Sequence, residues 1–165
     1  MNLRIVLFGS SGQIGFELAK AMTTLGEVIA LKKDDANFNN PESWRNRIQN
    51  YQPDIIVNAA AYTDVDRAED DYDTARNVNT ITPSILAKEA EVQGSLLVHY
   101  STDYVFDGQK RGSYNESDRP NPLSAYGRSK LDGELAVVKA CRRHLIFRTS
   151  WVFGKHGHNF LKSIL

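Results

Sequence analysis

The sequence predicts a doubly wound, Rossmann-like α/β domain: a parallel sheet with helices on both faces. Three observations carry this expectation. Short apolar runs alternate with segments of helical period along the chain. A glycine-rich turn follows the first apolar run directly. The chemistry-bearing motifs gather at the ends of these runs or in the segments that follow, where open parallel sheets bind their ligands.

Leu3 to Phe8 forms the first strand and stops at Gly9. Phe16 to Leu25 carries Leu18, Ala19, Met22 and Leu25 at helical spacing, and Gly26 ends the helix. Glu27 to Leu31 is the second strand. Pro41 to Tyr51 has a proline suited to a first helical turn, with Trp44, Ile48 and Tyr51 on one packing side. Asp54 to Val57 is the third strand and runs into Asn58 and three alanines. Asp73 to Val92 is the longest helical stretch, within which Pro83 predicts a kink or break. Ser95 to Tyr100 is the fourth strand, Asp107 to Leu123 a loop, Ala125 to Ala140 a helix and Leu145 to Arg148 the fifth strand. Strands separated by helices imply parallel pairing through right-handed crossovers. The fold class adds an expected strand order of 3-2-1-4-5.

At 165 residues and 41% hydrophobic, the chain can bury one sizeable core and leaves no room for a second domain of ordinary size. Residues 1–165 therefore read as one dinucleotide-binding domain. Twenty basic residues balance twenty acidic ones, which argues against a nucleic-acid partner. The lone Cys141 can form neither an internal disulfide nor a cysteine zinc site. No apolar run approaches the roughly 20 residues of a membrane helix, and the N-terminus does not read as a secretory signal. The expectation is a cytoplasmic protein with no membrane partner. No metal site is expected. The acids from Asp64 to Asp73 read as a solvated helix start, and His99, His144, His156 and His158 lack ligand spacing.

The turn Gly9-Ser10-Ser11-Gly12-Gln13-Ile14-Gly15 joins the first strand to the first helix. Gly9 permits a sharp exit, Gly12 lets backbone N–H groups approach a diphosphate, and Gly15 allows the helix close to the strand. The second strand ends in Leu31-Lys32-Lys33, where an acid would favour NAD through the ribose hydroxyl. Lysine there would attract a 2′-phosphate, so NADPH is favoured over NADH; two solvated lysines are the alternative.

Tyr126 and Lys130 lie four residues apart on one helix face. Ketone reduction needs a proton at the carbonyl oxygen as hydride reaches the carbon. A tyrosine supplies it when a nearby ammonium stabilises the phenolate. The fourth strand ends in Ser101, Thr102 and Asp103, candidates for polarising the substrate oxygen.

Four blocks carry a family resemblance: Asn58 to Asp66, Ser101-Thr102-Asp103-Tyr104-Val105-Phe106-Asp107-Gly108, Tyr126 to Lys130, and Phe147 to Phe153. Together they closely resemble the dTDP-4-dehydrorhamnose reductases, a branch of the extended short-chain dehydrogenase/reductases. The resemblance implies reduction of the 4-keto group of dTDP-4-dehydro-L-rhamnose with NADPH or NADH. By motif, it makes Tyr126 the proton donor, Lys130 its stabiliser and ribose ligand, and Thr102 the third catalytic hydroxyl. It assigns Gly9, Ser10, Ser11, Gly12, Gln13 and Ile14 to the cofactor, with Lys32, Asn37 and Phe38 toward the adenosine end. Ala61, Tyr62 and Thr63 flank the nicotinamide side, and Ala59 and Ala60 are also assigned to the cofactor. Thr63, Thr102, Asp103, Tyr104 and Trp151 face the sugar. The resemblance also implies a homodimer.

Many members of that family have aspartate where Lys32 stands and an Asp-Phe pair where this chain has Asn37-Phe38. Both departures remove negative charge near the cofactor. Members also run to roughly twice this length, in keeping with two domains of about 100–200 residues. The expectation is a domain cut before the substrate-binding part, with Asn159 to Leu165 lying in mid-helix. Two other functions stay open: a nucleotide-sugar epimerase or dehydratase, and a non-catalytic NADP-binding regulatory subunit. Thr102 is followed by Asp103 and Tyr104 without an adjacent glutamate, which favours simple reduction over dehydration.

Overall fold

The computed structural model describes residues 2–157 and 159–164, so the expectation for His158 lies outside the described residues. Five parallel strands form one sheet: β1 Leu3–Phe8, β2 Gly26–Leu31, β3 Ile55–Asn58, β4 Leu96–Thr102 and β5 His144–Thr149. Their spatial order is β2-β1-β3-β4-β5, which corrects the expected 3-2-1-4-5. The reason is the single helix α2 (Glu42–Tyr51). It leaves β2 and carries the chain past β1, so that Ile55–Asn58 pairs with Ile5–Phe8. β1 and β3, whose described interiors are buried, become the central pair, while the half-exposed β2 takes an edge.

The strand alternation divides the core. Ile5, Leu7, Val57 and Val98 face α1 (Gln13–Ala21), which contributes Leu18 and Ala19. Val6, Phe8, Ile56 and Leu97 face the other side, where Trp44 and Ile48 of α2 pack with Leu86, Ala87 and Ala90 of α5 (Thr82–Gln93). Trp44 is fully buried and meets Phe8 edge-on at 5.4 Å, as its expected packing role requires. Crossovers on both faces make the sheet doubly wound and leave a crevice where β1 and β3 diverge, the topological switch point of this strand order.

The expected helical stretch from Asp73 to Val92 is present as an unbroken run from Tyr72 to Gln93, and the interruption that Pro83 predicts is a π-turn just ahead of it. Short helices α3 (Arg67–Asp70) and α4 (Tyr72–Arg76) lead into a π-turn at Asn77–Ile81, and α5 starts at Thr82 with Pro83 in its first turn. Pro83 has no N–H to donate to the Asn79 carbonyl one turn earlier. That carbonyl instead lies against Gly133 of α6 (Ala125–Ala140). The wide turn thereby brings the two long helices close together. A final short helix, α7, covers Phe160–Ile164. No helix among the described residues is long and apolar enough to cross a membrane.

Candidate active site

A cleft of about 1330 Å³ opens along the C-terminal ends of β1, β3, β4 and β5. Its floor at the switch point is built from backbone. Gly9 turns out of β1 at φ +80°, and a Cβ there would stand 2.6 Å from the Ala60 nitrogen. Only glycine allows the β1 and β3 exits to approach this closely. Gly15 is buried against the Gly9 carbonyl and seats α1 on the turn. Gly12 is the extended N-cap of α1 and has no side-chain cap. The first-turn N–H groups of α1 are therefore left for an anion at the cleft floor.

The cleft brings together all but one of the residues singled out in the sequence. Gly9, Ser11, Gly12, Gln13, Ile14, Lys32, Asn37 and Phe38 line one end. Ala59, Ala60, Ala61, Tyr62, Thr63, Thr102, Asp103, Tyr104, Tyr126, Lys130 and Trp151 line the other. Ser10 is the exception: it is buried within the turn, and its hydroxyl finds no partner among the described residues.

The Tyr126 end is held by several elements. Ser124 caps α6 by accepting from the Gly127 N–H at 3.0 Å, and Glu69 accepts from the Ala125 N–H at 2.7 Å. The acidic run is thus partly engaged, since the Asp64 carboxylate also accepts from the Arg67 N–H at the start of α3 at 3.1 Å. Tyr104 packs edge-on to Tyr126 at 5.6 Å. Burial raises the Tyr126 phenol above its ordinary pKa, with the neighbouring Thr102 hydroxyl opposing the rise and Asp103 and Tyr104 adding to it. The Thr102 hydroxyl accepts from the Tyr104 N–H at 3.2 Å and donates to the Asp103 carboxylate at 3.3 Å.

Lys130 is 1% exposed, and its ammonium donates to the Tyr100 carbonyl at 2.7 Å. Burial lowers its pKa from 10.5 to about 8, with Glu134 opposing. The ammonium thus stands at the cleft beside the end of β4, on the same helix as Tyr126.

Sequence reasoning missed the polar residues behind the cleft. Asn79 in the π-turn accepts from the Tyr62 N–H at 2.9 Å and donates to the Tyr62 carbonyl at 3.0 Å. It also donates to the Ser129 hydroxyl at 3.0 Å. One buried amide thus ties the loop after β3 to the helix bearing Tyr126 and Lys130. His99, set aside for lack of ligand spacing, is fully buried and kept neutral by burial and by Lys130. Its Nδ1 accepts from Asn58 at 3.1 Å, and Asn58 Oδ1 accepts from the Ala60 N–H at 3.2 Å. Glu134 and Arg148 form a two-point ion pair at 2.9 and 2.6 Å. The only sequence signal for Glu134 is its place four residues beyond Lys130. Among the described residues no three His, Cys, Asp or Glu side chains gather as a metal site.

Fold and cleft together define a doubly wound, Rossmann-like domain with its site at the switch point of the sheet. The chain belongs to the RmlD substrate binding domain family, whose model matches residues 3–165. It is 47% identical over 163 residues to a dTDP-4-dehydrorhamnose reductase of Burkholderia thailandensis, covering 99% of this chain and 55% of that protein. The Escherichia coli K12 protein of the same description is 44% identical over 167 residues, at 99% and 56% coverage. A solved dTDP-4-dehydrorhamnose reductase of Bacillus anthracis, in complex with NADP, superposes with a TM-score of 0.96 at 35% identity. That match covers 99% of this chain and 59% of the other. The chain thus spans little more than half the length of these relatives.

Proposed function

We propose that this chain supplies the cofactor-binding and proton-donating part of an NADPH- or NADH-dependent reductase that converts dTDP-4-dehydro-L-rhamnose to dTDP-L-rhamnose. The observation that carries the reading is the convergence of Thr102, Tyr126 and Lys130 at the end of a cleft whose other end is a glycine cradle under a helix N-terminus. The reductase descriptions and bound NADP of relatives support the substrate and cofactor class.

The cradle fits a dinucleotide. The Gly12 turn and first-turn N–H groups of α1 suit a diphosphate. Lys32, Asn37 and Phe38 lie toward the adenosine end, with Lys32 offering charge to a 2′-phosphate. Ala59 to Tyr62, which line the cleft together with Lys130, would hold the nicotinamide side, with Lys130 on its ribose. When bound, the reduced nicotinamide supplies hydride to the keto carbon.

Tyr126 delivers the proton to the resulting oxygen. Its raised pKa keeps that proton in place until negative charge develops on the substrate. Thr102 donates to the oxygen or to the phenolate left behind. Asp103, Tyr104, Thr63 and Trp151 surround the sugar from three separate loops. A homodimer in the cytoplasm, implied by the family resemblance, is the assembly that goes with this reading.

Tyr126→Phe tests the assignment in the full-length protein. It should lower kcat by about 10²–10⁴-fold and leave the NADPH Kd within about twofold. Equal loss of binding and turnover would contradict the role.

A further inference from the structure

Lys130, Glu134 and Arg148 form a connected arrangement that the proposed chemistry does not by itself explain. Lys130 and Glu134 sit one helical turn apart on the same face of α6, and both are nearly inaccessible. A buried ammonium beside a buried carboxylate would ordinarily form a direct pair. Here both carboxylate oxygens are taken by the Arg148 fork, through Nε and Nη2. The guanidinium is held in turn against the Phe106 ring, 4.9 Å from its centroid. The Lys130 ammonium points instead to the Tyr100 carbonyl at the cleft.

We infer that Glu134 and Arg148 are positioning residues for Lys130: the carboxylate provides the buried countercharge that keeps the ammonium charged, and the arginine fork withholds that carboxylate from direct pairing, so that the ammonium faces the cleft. The inference rests on the proposed role of Lys130 toward the cofactor ribose and the Tyr126 oxygen. The groups around the ammonium are Glu134 on its own helix, His99 and the Tyr100 carbonyl on β4, and Arg148 of β5 behind the carboxylate. His99 is neutral, which leaves Glu134 as the nearby anion and Arg148 as its competitor. Burial pulls Lys130 down to about 8 while Glu134 holds it up, which agrees with the geometry.

A purely structural ion pair predicts that losing either member has the same effect. The positioning role predicts opposite effects. Glu134→Gln removes the countercharge and lowers the titration midpoint of the Lys130 ammonium by about one pH unit. Arg148→Met removes a cation and frees the carboxylate, which raises the midpoint by a similar amount. The combined variant E134Q/R148M returns toward Glu134→Gln alone. If Arg148→Met does not fold, Arg148→Lys keeps a cation without the fork and should move the midpoint upward too.

Two readouts are needed on the full-length protein. An isotope-edited NMR titration of the Lys130 ammonium in the cofactor-free protein measures the midpoint directly. The pH dependence of NADPH affinity reports whether the ammonium still faces the cleft, and Arg148→Met should weaken it at least about fivefold as Lys130 folds toward Glu134. Midpoints that move the same way, or stay put in both variants, overturn the inference. Opposite shifts in a protein that reduces no keto sugar would sustain the inference and remove the reductase reading instead.

Discussion

Replacing Asn79 tests whether one buried amide holds the two sides of the cleft together. The side chain is 1% exposed and makes three hydrogen bonds, two to the Tyr62 peptide and one to the Ser129 hydroxyl. Asn79→Ala strands the N–H and carbonyl of Tyr62. Leaving a buried polar group unpaired costs about 1–3 kcal/mol. Tyr62 is only half-buried and lines the cleft, so water reaches it and the lower end of that range applies to each group. Ser129 loses less, because its hydroxyl keeps its bond to the Tyr126 carbonyl at 2.7 Å. With a further roughly 1 kcal/mol for lost packing, the expected destabilisation is about 2–4 kcal/mol. Urea unfolding measures it as a fall in midpoint at constant slope. The loosened Tyr62 loop should also weaken NADPH binding by about tenfold or more, since 1.4 kcal/mol is tenfold. Asn79→Asp keeps the acceptor for the Tyr62 N–H but turns the amide donor into an acceptor facing a carbonyl, so it should be at least as damaging. A loss below about 0.5 kcal/mol in both variants, with cofactor affinity unchanged, would refute the argument.

Two further predictions concern charge. Lys130 has a folded pKa of about 8 against an ordinary 10.5, so the native state binds fewer protons than the unfolded chain between those values. By linkage this group makes the cofactor-free protein more stable as pH rises from about 8 to 10.5; below 8 its burial cost, on the order of 3 kcal/mol, is fully present. Denaturation midpoints measured across that window should rise less steeply in Lys130→Met than in the wild type, and equal slopes would mean that Lys130 titrates normally. On the role proposed for the charged ammonium, turnover should fall as pH rises through about 8. Lys32→Asp puts a carboxylate at the end of the cleft lined by Asn37 and Phe38, and on the proposed reading it should move the NADPH-to-NADH affinity ratio toward NADH by at least about tenfold. An unchanged ratio would show that this side chain does not meet the 2′-phosphate.

What could be read from the sequence follows from where the physical signal is local. The apolar run of β1, the glycine turn and α6 are set by neighbours a few residues apart, and the structure agrees with them to within a residue at β1 and α6. The start of α1 lies at Gln13 rather than Phe16, because Gly12 itself is the N-cap. Strand order was not legible, since nothing local in Ile55–Asn58 states which side of β1 it will join. The stretch around Pro83 read as one interrupted helix, whereas the π-turn depends on the Asn79 carbonyl meeting Gly133, a residue of another helix. The cleft lining was largely visible from motifs. Its supports were not, because Asn79, His99 and Glu134 are polar residues whose burial is decided by partners 14 to 50 positions away.

The most direct test of the central claim is to give the full-length protein dTDP-4-dehydro-L-rhamnose with NADPH or NADH and follow the loss of reduced nicotinamide together with formation of dTDP-L-rhamnose. The account predicts one cofactor oxidised per sugar reduced in the wild type and loss of that turnover in Tyr126→Phe with cofactor still bound. A folded protein that binds the cofactor and oxidises none of it in the presence of this sugar would contradict the account.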